Sequence, residues 1–405
     1  MYSEKKLAYC DFSENNKAVC RGSIEVNRLK KMSEFIVFNE KILAWALKRA
    51  RYTAGDLVKE FPFIQSWLEG KRKPTITQTQ KLSNKLSVPF GYFCLPSPPE
   101  EIPLLPDFRT KGNHPVKEIS LGLRKTIEHA KECQAFLSER LENADAEPFL
   151  YEGVLSQHNT PKEGASILKK LLGEKKLSSQ ENRFKNLLHT IENLGVLIQK
   201  NSHVLNSIKQ KLDSDEFRGF ALCDKYCPLI FINENDSSKA QIFTLIHEFC
   251  HILLGETGIS RGDGSARGVE RLCGRITVEY LVPEKDFRNC WERGDSQETL
   301  GLLDSLAREF CVSKWVIIRR AHELHLISDA FFHEELNKLL AFSKPKEKGK
   351  GGPSYTVIQQ ARLGKLLIDN AIKAAYSGEI PFSEAMRLTL YSANTIQKKA
   401  LEMGL

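Results

Sequence analysis

Apolar residues recur at helical spacing through most of the chain and give way to strand-like runs in only two places. The densest helical pattern lies in IFTLIHEFCHILLG, where Ile242, Ile246, Phe249 and Leu253 share one face and Gly255 marks a stop. Ser238 followed by Gln241 reads as a capping box at its start. The next periodic stretch, GVERLCGRITVEYLVP at 268–283, buries Val269, Leu272, Cys273, Ile276 and Tyr280 and ends at a proline, which cannot continue a helix. The strand-like runs, 194–200 and 219–233, precede the first of these helices, so a small sheet is expected to pack on it. Elsewhere the pattern predicts a long helix over 116–143 (Ile119, Leu123, Ile127, Ala130, Phe136), two more over 161–172 and 182–192, and a helical pair within 299–329. Nearer the ends, Ile42, Leu43, Ala46 and Leu47 suggest one helix and Leu82, Leu86 and Val88 another, while periodicity resumes over 355–405.

The breaks in this pattern divide the chain. Residues 1–33 are a polar extension, 34–95 a helical domain, and 96–144 a proline-rich connector leading into the long helix. A core at 145–293 follows, then a helical module at 294–340, a basic linker at 341–354 (AFSKPKEKGKGGPS) and a C-terminal helical unit at 355–405. At 405 residues the chain is long enough for several cores. Its 41% apolar and 27% charged content is that of an ordinary globular protein. No apolar run is long enough to cross a membrane, and MYSEKKLAYCDF lacks the hydrophobic stretch of a secretory signal. Ten scattered cysteines read as reduced thiols, hence a cytoplasmic location. Cys223 and Cys227 form a close pair, but nothing else marks them as metal ligands. The formal charge of +8 permits association with nucleic acid without establishing it.

Chemistry concentrates in His247-Glu248-Phe249-Cys250-His251. On a helix, HExxH puts two imidazoles one turn apart on the same face, within reach of one zinc ion, with the glutamate set to act on water beside it. A third ligand is expected on the following helix, which carries Glu270 and Glu279. Nine residues at ~100° each place these acids on opposite faces, so only one can meet the imidazoles. Glu270 lies in line with Gly274 and Thr277, small residues that let another helix approach, and is the expected ligand. Glu279 sits four residues from Arg275 and is expected to pair with it. A cysteine nucleophile made of Cys250 and His251 is disfavoured, because adjacent helical residues point about 100° apart. His322 and His325, three apart near a helix end, read as solvated or capping groups rather than ligands.

HEFCH followed by VERLCGRITVEYLVP resembles the ImmA/IrrE family of metallo-endopeptidases, whose second motif runs roughly E-x-x-A/C-N-x-F-A-A-E-L/F-L-M-P. RGFALCDKYCPLIFINEND, at 218–236, is similar to the strand pair that enters the family's HExxH helix. The resemblance covers about 181–283 and departs from the pattern at Gly274, usually Asn or Asp, and at Thr277, usually Ala. It implies a zinc cofactor held by His247, His251 and Glu270, with Glu248 as the catalytic acid–base group. SWLEGKRKPT resembles the turn after the third helix of repressor-type helix-turn-helix domains of the XRE class, although 57–67 is short for a full motif and Pro62 interrupts it. That likeness makes Lys71, Arg72 and Lys73 candidate phosphate contacts. A second helix-turn-helix-like pattern begins at Ser313, an expected N-cap, with Val316, Ile317 and Ala321 inward. Its Arg319 and Arg320 are candidate contacts to DNA or an acidic partner, against the plainer role of a structural helical pair.

The expected fold is α+β, mostly α: a zincin-like protease core with a small sheet, flanked by helix-turn-helix-like modules. The expected function is zinc-dependent cleavage of a helix-turn-helix repressor or antitoxin-like protein during a stress or mobile-element response. Two rivals stand beside it: a non-proteolytic, DNA-binding or antitoxin-type regulator, and a zinc hydrolase acting on something other than a peptide.

Overall fold

The computed structural model describes residues 38–99, 119–173, 180–207, 209–255, 265–294, 299–341, 360 and 362–405. The extension at 1–33, most of the connector after residue 99 and the linker after residue 341 lie outside the described residues. Two compact units result, divided after residue 102. No described helix is long and apolar enough to cross a membrane.

The first unit is helical. Helix α1 (Glu40–Arg49) starts at Asn39, whose side chain accepts from the Lys41 backbone N–H. The same Asn39 amide donates to the carbonyls of Leu95 and Pro96, tying the start of the unit to its end. Helix α2 (Ala54–Leu57) is closed by a capping box of Thr53 and Asp56, and α4 (Ile76–Leu86) by one of Thr75 and Gln78. Between them α3 (Ile64–Leu68) has only five residues, little more than one turn. Trp67, Ile64, Ile42, Leu43 and Leu82 fill the interior, and Phe38 stacks on Phe93.

The second unit is built on a three-stranded sheet of order β1-β3-β2, with β1 (Leu197–Asn201) parallel and β2 (Gly219–Leu222) antiparallel to β3 (Leu229–Asn233). All five residues of β3 are buried, so both faces of the sheet are covered. Because strand side chains alternate, Ile230 and Ile232 join Ile198 in one core, while Leu229 and Phe231 join Leu197, Phe220 and Leu222 in another. The protein is therefore mostly helical with a small mixed sheet, an α+β fold of the kind expected for a zincin-like domain.

Over the first face lie α6 (Pro161–Leu172), α7 (Gln180–Asn193), α8 (Ser238–Leu254), α9 (Ser265–Leu281), α10 (Glu284–Arg293), α11 (Thr299–Glu309) and α12 (Lys314–Glu323). The core at 145–293 and the start of the module at 294–340 thus share one apolar interior, which takes in Leu303, Leu306, Ile317, Ile318 and Ala321. Helix α13 (Asp329–Ala341) follows. Over the second face lie α5 (Leu121–Asn143), α14 (Lys365–Tyr376), α15 (Phe382–Thr389) and α16 (Ala393–Glu402). Helices from both ends of this unit share that core, and Gln134 of α5 ties to the sheet by donating to the carbonyls of Leu222 and Cys227.

Helices α6 and α9 cross closely at Gly164. A Cβ on Gly164 would stand 2.6 Å from Ile276 Cδ1 and 2.7 Å from its Cγ1, so only glycine leaves room for that side chain. Gly164→Ala is expected to cost about 1–3 kcal/mol through overpacking. In urea this should lower the unfolding midpoint with no change in m.

Candidate metal centre

Helix α8 is apolar on nearly every side, because it lies between the sheet and other helices. Its cap is Ser237, whose hydroxyl accepts from the Ala240 N–H, one residue before the expected Ser238. Gln241 takes no part in a box; its amide turns back to the carbonyls of Glu234 and Asp236. Gly255 ends the helix at φ 67°, the left-handed conformation glycine adopts freely. Within this apolar rod His247 is fully buried and Glu248 is 8% exposed. Polar groups at such depth are costly unless partnered.

The partners of the imidazoles include each other and Glu270. His247 Nε2 and His251 Nε2 stand 3.1 Å apart. Glu270 Oε2 is 3.3 Å from the first nitrogen, and Glu270 Oε1 is 2.8 Å from the second. Among the described residues these three form the one group whose atoms, all within 4.8 Å of one another, are placed to hold a metal ion. The separations suit a cation. Donors bonded at ~2.0–2.1 Å in tetrahedral array lie ~3.3 Å from each other, and two imidazoles with a carboxylate are ordinary zinc donors. At 3.1 Å the two Nε2 atoms share at most one proton as an N–H···N hydrogen bond, and with both nitrogens unprotonated their lone pairs face the same point, where a cation would be held.

The opposite-faces argument for the two acids is realised in the structure: Glu270 meets the imidazoles and Glu279 does not. The expected partner of Glu279 is corrected, however. Glu279 is buried and pairs with Arg320 of α12, whereas Arg275 lies on the exposed side of α9. The expected helix approach at Gly274 is also corrected, since a Cβ there would meet nothing within 4 Å; the close approach on α9 is the Ile276–Gly164 contact. Thr277 is buried, its hydroxyl donating to the Cys273 carbonyl and lying 3.9 Å from Cys250 Sγ.

One residue that sequence reasoning passed over sits directly against the HExxH helix. A Cβ on Gly219 of β2 would come within 2.5 Å of Thr244 Cγ2, 2.7 Å of the Phe231 carbonyl and 3.4 Å of Glu248 Cγ. The signal was present: a glycine inside a strand-like run often marks close approach of another element. Phe243, one turn before His247, lies near-parallel to that imidazole, with ring centroids 6.2 Å apart.

The cationic candidates fall elsewhere. In the first unit Lys71, Arg72 and Lys73 are all exposed; Lys71 pairs with Glu69, and the Arg72 guanidinium lies 3.7 Å from the Phe63 ring centroid. Arg319 is exposed, over Trp315 and 3.5 Å from Glu323. Arg320 is 7% exposed, so its expected role as a contact to DNA or an acidic partner is withdrawn. Helix α12 packs into the core through Ile317, Ile318 and Arg320 and turns Arg319 outward. His322 bonds Asp329 and stacks on Phe332, away from the three converging donors.

The eight described cysteines are thiols rather than disulfide halves; Cys10 and Cys20 lie outside the described residues. Burial pushes the thiols of Cys133 and Cys227 up to about 12, the wrong direction for a thiolate ligand. Iodoacetamide is therefore expected to label exposed Cys94 in the native protein, and Cys133 and Cys227 only after unfolding, as read by peptide mass spectrometry.

Residues 191–322 match the model of the family described as the IrrE N-terminal-like domain. That segment, about a third of the chain, runs from the last turn of α7 through the sheet to α12 and contains both helices that carry the three converging donors. The match supports a metallopeptidase domain of the ImmA/IrrE type over this stretch. No curated protein matches the chain.

Proposed function

We propose that the chain is a zinc-dependent endopeptidase that cleaves a helix-turn-helix repressor or antitoxin-like protein and so derepresses genes. The observation that carries this reading is the convergence of His247, His251 and Glu270 from consecutive helices, inside a segment similar to a metallopeptidase domain. His247 and His251 would hold the ion through Nε2 as neutral imidazoles, and Glu270 would supply the anionic donor. A bound zinc ion supplies Lewis-acid polarisation of the scissile carbonyl.

The remaining work falls to this chain's own side chains. Glu248 accepts a proton from the attacking water as the oxygen–carbon bond forms. It then hands that proton to the leaving nitrogen as the carbon–nitrogen bond breaks, so the carboxylate is regenerated. The apolar setting of α8, with Ile246, Phe249 and Cys250 buried around it, keeps bulk water from competing for that proton. Strand β2 is at one edge of the sheet and antiparallel to β3, with Gly219 against Glu248. An extended peptide added along that edge would place its backbone beside the acid–base group.

In the first unit, exposed Lys71 and Lys73 are compatible with holding DNA phosphates while the second unit performs cleavage. The deciding experiment is elemental analysis together with incubation of the purified protein with repressor- or antitoxin-like proteins encoded beside it, products being read by mass spectrometry. About one zinc per chain and cleavage abolished by a chelator are expected. A metal-free protein that cuts none of them yet retards operator DNA would leave the non-proteolytic regulator as the correct reading.

A further inference from the structure

The ion pair between Glu279 and Arg320 is buried at both ends, the two residues being 8% and 7% exposed. Its carboxylate joins three elements. One oxygen of Glu279, on α9, accepts from Arg320 of α12; the other accepts from the backbone N–H of Glu284, 3.2 Å away at the start of α10. Arg320 also lies 3.9 Å from Glu323 on its own helix. Such a pair adds little net stability over an apolar replacement, because desolvation offsets the attraction, but it is directional. Glu279 stands on the opposite side of α9 from Glu270, at ~100° per residue over nine residues. A tie at that position governs rotation of the helix about its axis. Side-chain tips lie ~5–6 Å from a helix axis, so a 10° rotation shifts a carboxylate by ~1 Å. That is enough to spoil separations of 2.8 and 3.3 Å to two imidazoles.

We infer that Arg320 is a positioning residue for the metal centre: through Glu279 it fixes the rotation of α9 and so holds the Glu270 carboxylate against His247 and His251. The Ile276 side chain seated at Gly164 sets how closely α9 and α6 approach, and the ion pair sets which way α9 faces. Helix α12 then acts as a buttress of α9, and the third donor depends on a residue 50 positions beyond Glu270.

This inference rests on the metallopeptidase reading, and the test separates the two. The full chain is prepared as wild type, as Arg320→Lys and as the double variant Arg320→Met with Glu279→Gln. The double variant removes both charges, keeps the volume and leaves an acceptor for the Glu284 N–H. Melting of the metal-free proteins and zinc dissociation constants, from competition with a chromogenic chelator, are measured for each. The double variant is expected to melt within a few degrees of wild type yet bind zinc ~10–100-fold more weakly, the usual loss when a ligand's supporting partner is removed. Arg320→Lys, which keeps the charge but not the planar fork, should fall between them. A folded double variant with wild-type zinc affinity would overturn the inference. If the double variant does not fold, wild-type affinity in folded Arg320→Lys overturns it equally. Absence of zinc binding in the wild type would instead sink the metallopeptidase reading, and this inference with it.

Discussion

Replacing Glu248 by glutamine is expected to leave zinc content at the wild-type level and to lower the rate of peptide cleavage by about 10²–10⁴-fold. Glutamine has nearly the same shape, so the packing of residue 248 against Gly219 of β2 survives, and with it the neighbouring turn that carries His247. What disappears is the ability to take up a proton, since an amide oxygen is a far weaker base than a carboxylate. The loss should appear in kcat rather than KM, because the proton moves only during the reaction. Two outcomes would count against the assignment. Cleavage close to the wild-type rate would remove Glu248 from the chemistry, and loss of zinc would make it a ligand or support rather than the acid–base group.

The parts of this protein that were readable from sequence are those encoded over one or two helical turns. Two imidazoles four residues apart need only the geometry of a single helix, and the choice between Glu270 and Glu279 needs only the phase of the next one. The mostly helical α+β class followed from similarly local signals: helical periodicity nearly everywhere, and strand-like runs where β1, β2 and β3 lie. Small local errors arose where neighbouring residues are chemically alike, as with Ser237 and Ser238 at the cap of α8.

Contacts between distant segments left no such trace. Arg320 looks like a surface cation because arginine usually is one, and nothing within a few residues reveals that a carboxylate 41 positions earlier waits for it inside the core. The same holds for Gly164, whose reason for being glycine is a side chain more than 100 residues away. Gly274 shows the converse: a small residue beside an important one suggests close packing, yet its Cβ position is open. The second face of the sheet also escaped, because α5 and α14–α16, which cover it, come from opposite ends of the second unit. Periodicity says that a helix has an apolar face and does not say what that face meets.

Replacing His247 by alanine is expected to abolish stoichiometric zinc and to remove the stabilisation that zinc confers. Wild type in zinc at one hundred times its dissociation constant should gain about 2.7 kcal/mol against unfolding, because the ion binds the folded site and not the open chain. In the variant only His251 and Glu270 remain of the three donors, a set too small for a stable tetrahedral site. The affinity should therefore fall further than the ~10–100-fold that follows loss of a supporting group alone. The measurement is a pair of melting curves, with chelator and with added zinc, for each protein. A zinc-dependent rise in wild type that is lost in His247→Ala, with both metal-free forms still melting cooperatively, ties the ion to this site. Equal rises in the two proteins would place the zinc elsewhere, and the convergence of three donors would then be a packing accident around a buried histidine.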